Sequence, residues 1–298
     1  MKFEGVTIEE TFAEAFGMQA TRLHVTAPTP HWAMIAAQSA VGFATSVIGC
    51  GLEAGIERRL EASETIDGRP GVSLLLFAVS KEALAKAVRD RVGQAILTCP
   101  GTACFAGLAG EAHLPLGRAL RYFGDGHQRA KRVGARRFWR IPVMDGEFVC
   151  EDRVGYCDAV GGGNFLMLGR NRDGVLAAAE RAIAAMQKVT GVIMPFPGGI
   201  VRSGSKVGSK YRGLIASTND PYCPTLKGVG PSELTGEEGA VLEIVIDGMS
   251  EAEVARAMVV GIRAACAGGV HDGLTRITAG NYGGKLGAFH FRLHEILA

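Results

Sequence analysis

Val241–Cys266 reads VLEIVIDGMSEAEVARAMVVGIRAAC and sets a strand signal directly before a helix signal. Val241–Asp247 is rich in branched apolar residues, which suit a pleated, half-buried surface. Ser250 followed three residues later by Glu253 is a capping box, and it predicts a helix over the apolar-periodic VARAMVVGIRAAC. Three more helices start from similar signals: Thr29 before Pro30, Ser80 before KEALAKAVRDRVG, and Asp173 before GVLAAAERAIAAM.

Every one of these helices is flanked by apolar, strand-like runs. In the first half the runs are RLHVTA, TSVIG, GVSLLLFAV and AILTC; in the second they are NFLMLG, GVIMPF, VLEIVID and LTRITAG. Each half therefore reads strand, helix, strand, strand, helix, strand. That order predicts an α+β protein of duplicated ferredoxin-like (split βαβ) halves, with antiparallel sheets and helices on one face. TSVIGCGLEAGI in the first half echoes GVIMPFPGGI in the second, a local trace of the same repeat. The expected division is residues 1–158, carrying an inserted hairpin, and residues 159–298. Leu108 to Asp158 breaks the pattern: RRFWRIPV and EFVCEDRV flank Met144-Asp145-Gly146, and an Asp-Gly pair signals a β-hairpin. KLGAFHFRLHEIL, at the other end, alternates as an added strand.

Between two strand runs of the second half lies Pro195–Thr225, PFPGGIVRSGSKVGSKYRGLIASTNDPYCPT. Long polar loops anchored at both ends are usually working loops or disordered ones. Ile200, Tyr211, Leu214, Ile215 and Tyr222 recur through this one and are expected to be buried, which argues for order.

Composition narrows the field. With 298 residues, 47% apolar and 21% charged, the chain is of soluble globular type. A net charge of +2 gives no global field for nucleic acid or an anionic membrane, and neither is expected as a partner. MKFEGVTIEETFAEAF has acids where a secretory signal needs a basic and then apolar run. Trp32 to Leu52 has no charge, but Gln38, Ser39, Thr45, Ser46 and three glycines suit a buried helix and then a buried strand better than a membrane span. Seven cysteines without a CxxC pair fit reduced thiols, and together these features place the protein in the cytoplasm.

Several chemistries fail on pattern. GSKVGSK is not GxxxxGK[ST], GGGNFLM does not complete GxGxxG, and no GxSxG elbow exists. His290 and His294, on one strand, would stand roughly 13 Å apart, too far to share a metal ion. GHQRAKRVGARRFWR holds six basic residues from Arg129 to Arg140 beside Phe138 and Trp139. It reads either as a nucleic-acid surface, or as a solvated hairpin face or a site for one anionic small molecule, and Glu147, Glu151 and Asp152 nearby favour the latter pair. Glu243 stands out. Alternation puts it between Val241 and Val245, opposite Leu242, Ile244 and Ile246. Buried there, its carboxyl would be hard to ionise and suited to acid–base work near neutrality; exposed, it is an ordinary surface acid.

EETFAEAF, HWAMIAA, GFATSVIGC, EAGI, DGRPGV, YFGDGH, GEFVCED, GGGNF, FPGGIV, SKVGSK, ASTNDPYCPT, EIVIDG and AGNYGGKLG occur in order from residue 9 to residue 287. In these stretches the chain closely resembles the formylmethanofuran–tetrahydromethanopterin formyltransferases. The resemblance implies two ferredoxin-like lobes and formyl transfer between the amine of methanofuran, or a bacterial counterpart such as methylofuran, and N5 of tetrahydromethanopterin. Both carriers are then co-substrates, with no metal or prosthetic group required. It implies that Glu243 is the acid–base residue. Ser203, Ser205, Lys206, Lys210, Asn219, Asp220 and Tyr222 are candidate carrier contacts on the working loop, with Asn164, Asn281 and Lys285 from the glycine-rich motifs. The open faces of two ferredoxin-like sheets leave apolar surface such as Val241 and Val245 to cover, which predicts a homo-oligomer, dimer or tetramer. In one-carbon-oxidising bacteria the resemblance implies a place beside hydrolase-type partner subunits. Departures from the family's pattern cluster at the basic insert Arg118–Arg137 and at SGSK before VGSK. A non-catalytic ligand-binding or assembly module remains the alternative, since such folds host many roles.

Overall fold

The structure, a computed structural model, describes all 298 residues and has a mixed α/β architecture with seven helices and one large mixed sheet. In the first half the strand Phe12–Thr26 is followed by the helix Pro30–Val41, the strands Glu53–Leu60 and Gly71–Ala78, the helix Lys81–Arg91 and the strand Ala103–Ala106. Across the sheet these strands lie in the order 103–106, 12–26, 71–78, 53–60, every neighbour antiparallel. In the second half Cys157–Gly169 leads to the helix Arg172–Met186, the strands Val192–Ile193 and Ala240–Gly248, the helix Glu251–Cys266 and the strand Leu274–Thr278. Their order is 274–278, 157–169, 240–248, 192–193, again antiparallel throughout. Parallel pairs occur only at the margins, where Gly146–Glu151 joins Ala103–Ala106 and Val6–Ile8 joins Leu274–Thr278.

Local chemistry accounts for the helix starts. The hydroxyls of Ser80 and Ser250 accept from the amides of Ala83 and Glu253, and the Ser250 hydroxyl also donates to the Glu253 carboxylate at 2.9 Å. Helix 172–186 starts earlier than the Asp173 signal implied: Asn171 is the cap, accepting from Gly174, and Asp173 sits in the first turn, where the helix dipole favours an acid. Two runs read as strands are helical. TSVIG overlaps the short helix Val47–Cys50, and AILTC falls at the end of a π-helical extension of helix 81–91. Apolar runs this short do not distinguish a buried strand from a buried helical turn. The C-terminal alternation likewise yields a short strand, Phe289–Arg292, and then a helix, Leu293–Leu297, so His290 and His294 lie on different elements.

The Met144-Asp145 turn does close a hairpin between Arg136–Val143 and Gly146–Glu151, and Arg129–Val133 adds an exposed outer strand. Its basic residues are partly neutralised at home. Arg136 lays a two-pronged guanidinium on Glu151 at 2.5 and 2.7 Å, and Arg140 pairs with Glu147.

The two halves meet along one strand. Cys157–Gly161 pairs with Phe16–Ala20, and past a bulge the same strand pairs with Ala240–Gly248 and Leu274–Thr278. The bulge needs its glycines: Gly162 has φ +86, and a Cβ on Gly161 would lie 2.0 Å from the Met18 sulfur. Buried carboxylates bind this seam. Glu57 accepts from Arg22 at 2.7 and 2.8 Å, from Ser73 at 2.6 Å, and from the Gly191 amide of the other half at 2.8 Å. Glu53 accepts from the Val47 amide, and Asp247 accepts from the Gly162 amide at 3.0 Å. The second Asp247 oxygen is buried with no donor, and its neighbour is the Glu53 carboxyl. Two buried carboxyls can satisfy each other only by sharing a proton. Burial first, and then the Glu53 charge, push Asp247 well above the usual carboxylate range.

A carboxyl raised on folding stabilises fully in acid and loses that contribution as pH climbs towards its folded value, by up to about 1.4 kcal/mol per pH unit for one proton. Asp247→Asn supplies a permanent donor to Glu53 and keeps the acceptor for Gly162. Its melting temperature should gain on wild type as pH rises from 5 to 8.5. A gap that does not change over that range would mean that no proton is shared.

Candidate functional site

The helices cover one face of the second-half sheet, and Phe165, Met167, Ile244, Ile246 and Ile277 point into that core. The opposite face carries Leu166 with its two direct cross-strand neighbours, Thr278 and Glu243. Residues paired directly across strands project to the same side, so these three share one surface. The long loop after Ile193 folds over it. Val201 and Glu243 exchange both backbone hydrogen bonds, at 2.8 and 2.9 Å, so the loop passes directly beside the Glu243 strand. Beyond this point the Tyr222 hydroxyl engages Thr278, and Glu238 holds Arg276 at 2.8 and 2.9 Å.

Under this roof Glu243 is partly buried, and its side chain makes no hydrogen bond or ion pair within the chain. Burial alone pushes its carboxyl up to about 7. A group that holds and releases a proton near neutrality is what acid–base transfer requires.

The loop itself is a chain of short turns with one small hairpin, Lys206–Val207 against Ala216–Ser217. Lys206 pairs with Asp220 at 2.5 Å, which holds the Asp220 carboxyl below its usual range. The side chains of Ser203, Ser205, Lys210 and Asn219 make no intramolecular hydrogen bond; Ser203 and Asn219 accept only through their backbone oxygens. Tyr211, Leu214 and Ile215, expected to be buried, are instead exposed at the tip of the hairpin. Order here comes from turns and the Lys206–Asp220 pair and not from an apolar core.

Asn164 and Asn281 serve the scaffold. The Asn164 amide bonds Gly162 and both backbone groups of Gly280, and the Asn281 amide bonds Thr11, Phe12 and Gly283. Lys285 is exposed and unpaired on the turn they tie down. Sequence reading overlooked three residues here. Glu14, 1% exposed, accepts four amides of this turn. Tyr282, on the turn, stands 6.1 Å ring to ring from Phe16, and both rings are partly open to solvent. The EETFAEAF motif held the signal for Glu14, an acid among small apolar residues on a strand.

No group of three or more His, Cys, Asp or Glu side chains is arranged to hold a metal ion, and no helix is long and apolar enough to cross a membrane. A cavity of about 940 Å³ lies between helices 30–41 and 81–91 around Trp32, Cys50, Arg91 and Cys99. It shares no residue with the Glu243 face.

Two family profiles divide the chain. Residues 1–143 match formylmethanofuran–tetrahydromethanopterin formyltransferase, and residues 146–296 match the proximal lobe of the same family. The chain is 60% identical to the formylmethanofuran–tetrahydromethanopterin formyltransferase of Methylococcus capsulatus, covering 100% of both. It is 56% identical to a component of the formyltransferase/hydrolase complex of Methylorubrum extorquens, covering 98% of this chain and 96% of the other. A chain of that complex, solved with methylofuran, superposes with a TM-score of 0.98 at 55% identity, covering 100% and 99% of the two chains. The Methanosarcina barkeri formyltransferase gives 0.93 at 44% identity, covering 99% and 100%. On this evidence the chain belongs to the formylmethanofuran–tetrahydromethanopterin formyltransferase family.

Proposed function

We propose that this protein moves a formyl group between the amine of a methanofuran-type carrier and N5 of tetrahydromethanopterin, with Glu243 as its acid–base. The observation that carries the assignment of Glu243 is a lone, partly buried carboxyl with no protein partner, pushed up to about 7, in a chain whose relatives carry this activity in their names.

Transfer from amide to amine is nearly symmetrical, so the obstacle is kinetic. The amine nitrogen of one carrier attacks the formamide carbon of the other, the C=O π electrons move onto oxygen, and a tetrahedral intermediate forms. Ionised Glu243 takes the proton from the attacking nitrogen. It then gives a proton to the departing nitrogen as the C–N bond breaks and the carbonyl reforms. Proton transfer by a placed side chain is worth on the order of 10²–10⁴ in rate. The unbonded side chains of Ser203, Ser205 and Asn219 are suited to donate to the oxyanion or to carrier polar groups, and Lys210 and Lys285 to hold anionic tails. Lys206 and Asp220 order the loop through their own pair. Holding both carriers on one face supplies the remainder as effective molarity.

The proposal extends to architecture. The matching strand orders, 103–106/12–26/71–78/53–60 and 274–278/157–169/240–248/192–193, support duplicated ferredoxin-like lobes. The complex that contains the Methylorubrum relative supports hydrolase-type partner subunits. Exposed Val207, Tyr211, Leu214 and Ile215 support a homo-oligomer, and seven free cysteines a cytoplasmic setting. Light scattering should give a mass above the 31.3 kDa of one chain. A fully active monomer at micromolar concentration would remove the homo-oligomer.

Glu243→Gln keeps size and polarity, so its melting temperature should stay near wild type. Turnover should fall by about 10²–10⁴ with KM little changed, because the loss belongs to the transition state. Since the base must be ionised, the wild-type rate should drop as pH falls through about 7, and the variant should lack that limb. A folded variant within about threefold of wild-type turnover is incompatible with the assignment, given that magnitude.

A further inference from the structure

One buried acid is left unused by this chemistry. Glu14, on the strand Phe12–Thr26, accepts hydrogen bonds from the amides of Tyr282 and Gly284 through one oxygen, at 2.7 and 2.8 Å. Its other oxygen accepts from Leu286 and Gly287, both at 2.6 Å. No cation lies among its partners; the backbone alone holds the charge. Gly283 and Gly284, at φ +73 and +71, let the chain coil around a carboxylate as it would around a bound anion.

The coil sits at a defined place. Asn164 ties Gly280 to the second-half sheet through the amide and the carbonyl oxygen of its side chain. Asn164 pairs across the strands with Val245, and two residues further on Leu166 pairs with Glu243. The turn therefore stands one pleat from Glu243 on the same face. It presents one aromatic side chain, Tyr282, whose ring meets Phe16 and whose hydroxyl has no partner within the chain.

We propose that Glu14 is a positioning residue whose carboxylate gathers the Gly280–Gly287 turn and sets Tyr282 beside Glu243, where its hydroxyl donates to the oxygen of the tetrahedral intermediate. This rests on the transfer reading given above. Burial raises the Glu14 carboxyl, but the four amide donors outweigh it and hold the group at about 2, so the clasp is charged wherever the enzyme works. Burial, then the charges of Glu243 and Glu14, raise the Tyr282 phenol, so it stays protonated and able to donate. A fixed donor aimed at a developing oxyanion is worth about 10²–10³ in turnover in measured cases.

A double-mutant cycle tests the link. Tyr282→Phe keeps the ring and its contact with Phe16, and should lower kcat at least tenfold with KM within about twofold. Glu14→Gln turns one acceptor oxygen into a donor facing two amides, and should lower kcat comparably. If Glu14 acts through Tyr282, the double variant should fall no more than about threefold below the worse single variant. A merely structural Glu14 would multiply the two losses, and that result overturns the proposal, as does a Tyr282→Phe enzyme keeping more than a third of wild-type kcat. If Glu14→Gln does not fold, Gly284→Ala, which strains the coil and spares the carboxylate, takes its place in the cycle. Glu243→Gln, assayed beside them, separates the two readings. Loss of turnover there with a fully active Tyr282→Phe sinks only the tyrosine assignment, whereas a fully active Glu243→Gln sinks the acid–base role of Glu243 on which the proposal rests.

Discussion

Everything in this fold hangs on the pairing of Phe12–Thr26. Along its 15 residues it meets four other strands: Phe289–Arg292 at its start, Cys157–Gly161 in its middle, and Gly71–Ala78 and Ala103–Ala106 over its second half. One element therefore belongs to both cores. Glu14 near one end reaches the Glu243 face, and Arg22 further along holds the Glu57 clasp at the seam. A change in register here would move every one of these side chains to the wrong face at once.

Three buried acidic centres show how amide donors and neighbouring charge set the state of a carboxyl. Glu14 has four amide donors and is anionic; Glu243 has none and sits near neutrality. The Glu53–Asp247 pair has one amide each, and burial raises both carboxyls. All three are withdrawn from water to some degree, so burial alone does not separate them. Four backbone N–H groups set Glu14 apart, and at Asp247 the neighbouring Glu53 charge adds to burial and outweighs the single amide.

The sequence made the main elements legible where caps and periodicity agreed, as at Ser250–Cys266 and Ser80–Arg91. It misled where an apolar run was short, at TSVIG and AILTC, because four or five buried residues carry no clear period. Glu243 was visible from alternation plus the family motif, since a strand fixes which face a side chain takes. EETFAEAF marked Glu14 as an acid among small apolar residues, but its use stayed hidden, because its partners lie about 270 residues away in a turn whose shape no local pattern encodes. The same distance hid the structural use of Asn164 and Asn281: a motif marks a residue without saying whether it serves the ligand or the frame. The exposed tip of the 206–217 hairpin failed for another reason. Apolar content predicts burial only on average, and a short hairpin standing off the sheet has no core of its own.

The bareness of Glu243 has a thermodynamic side. Burial favours the neutral form of this carboxyl without fixing it there, and in the proposed cycle a proton taken from one nitrogen and handed to the second returns the residue to its starting condition. The cycle then exchanges no net proton with solvent. Like any catalyst the site leaves the equilibrium alone, so the abundances of all four carrier forms, formylated and free, decide which way the formyl group flows.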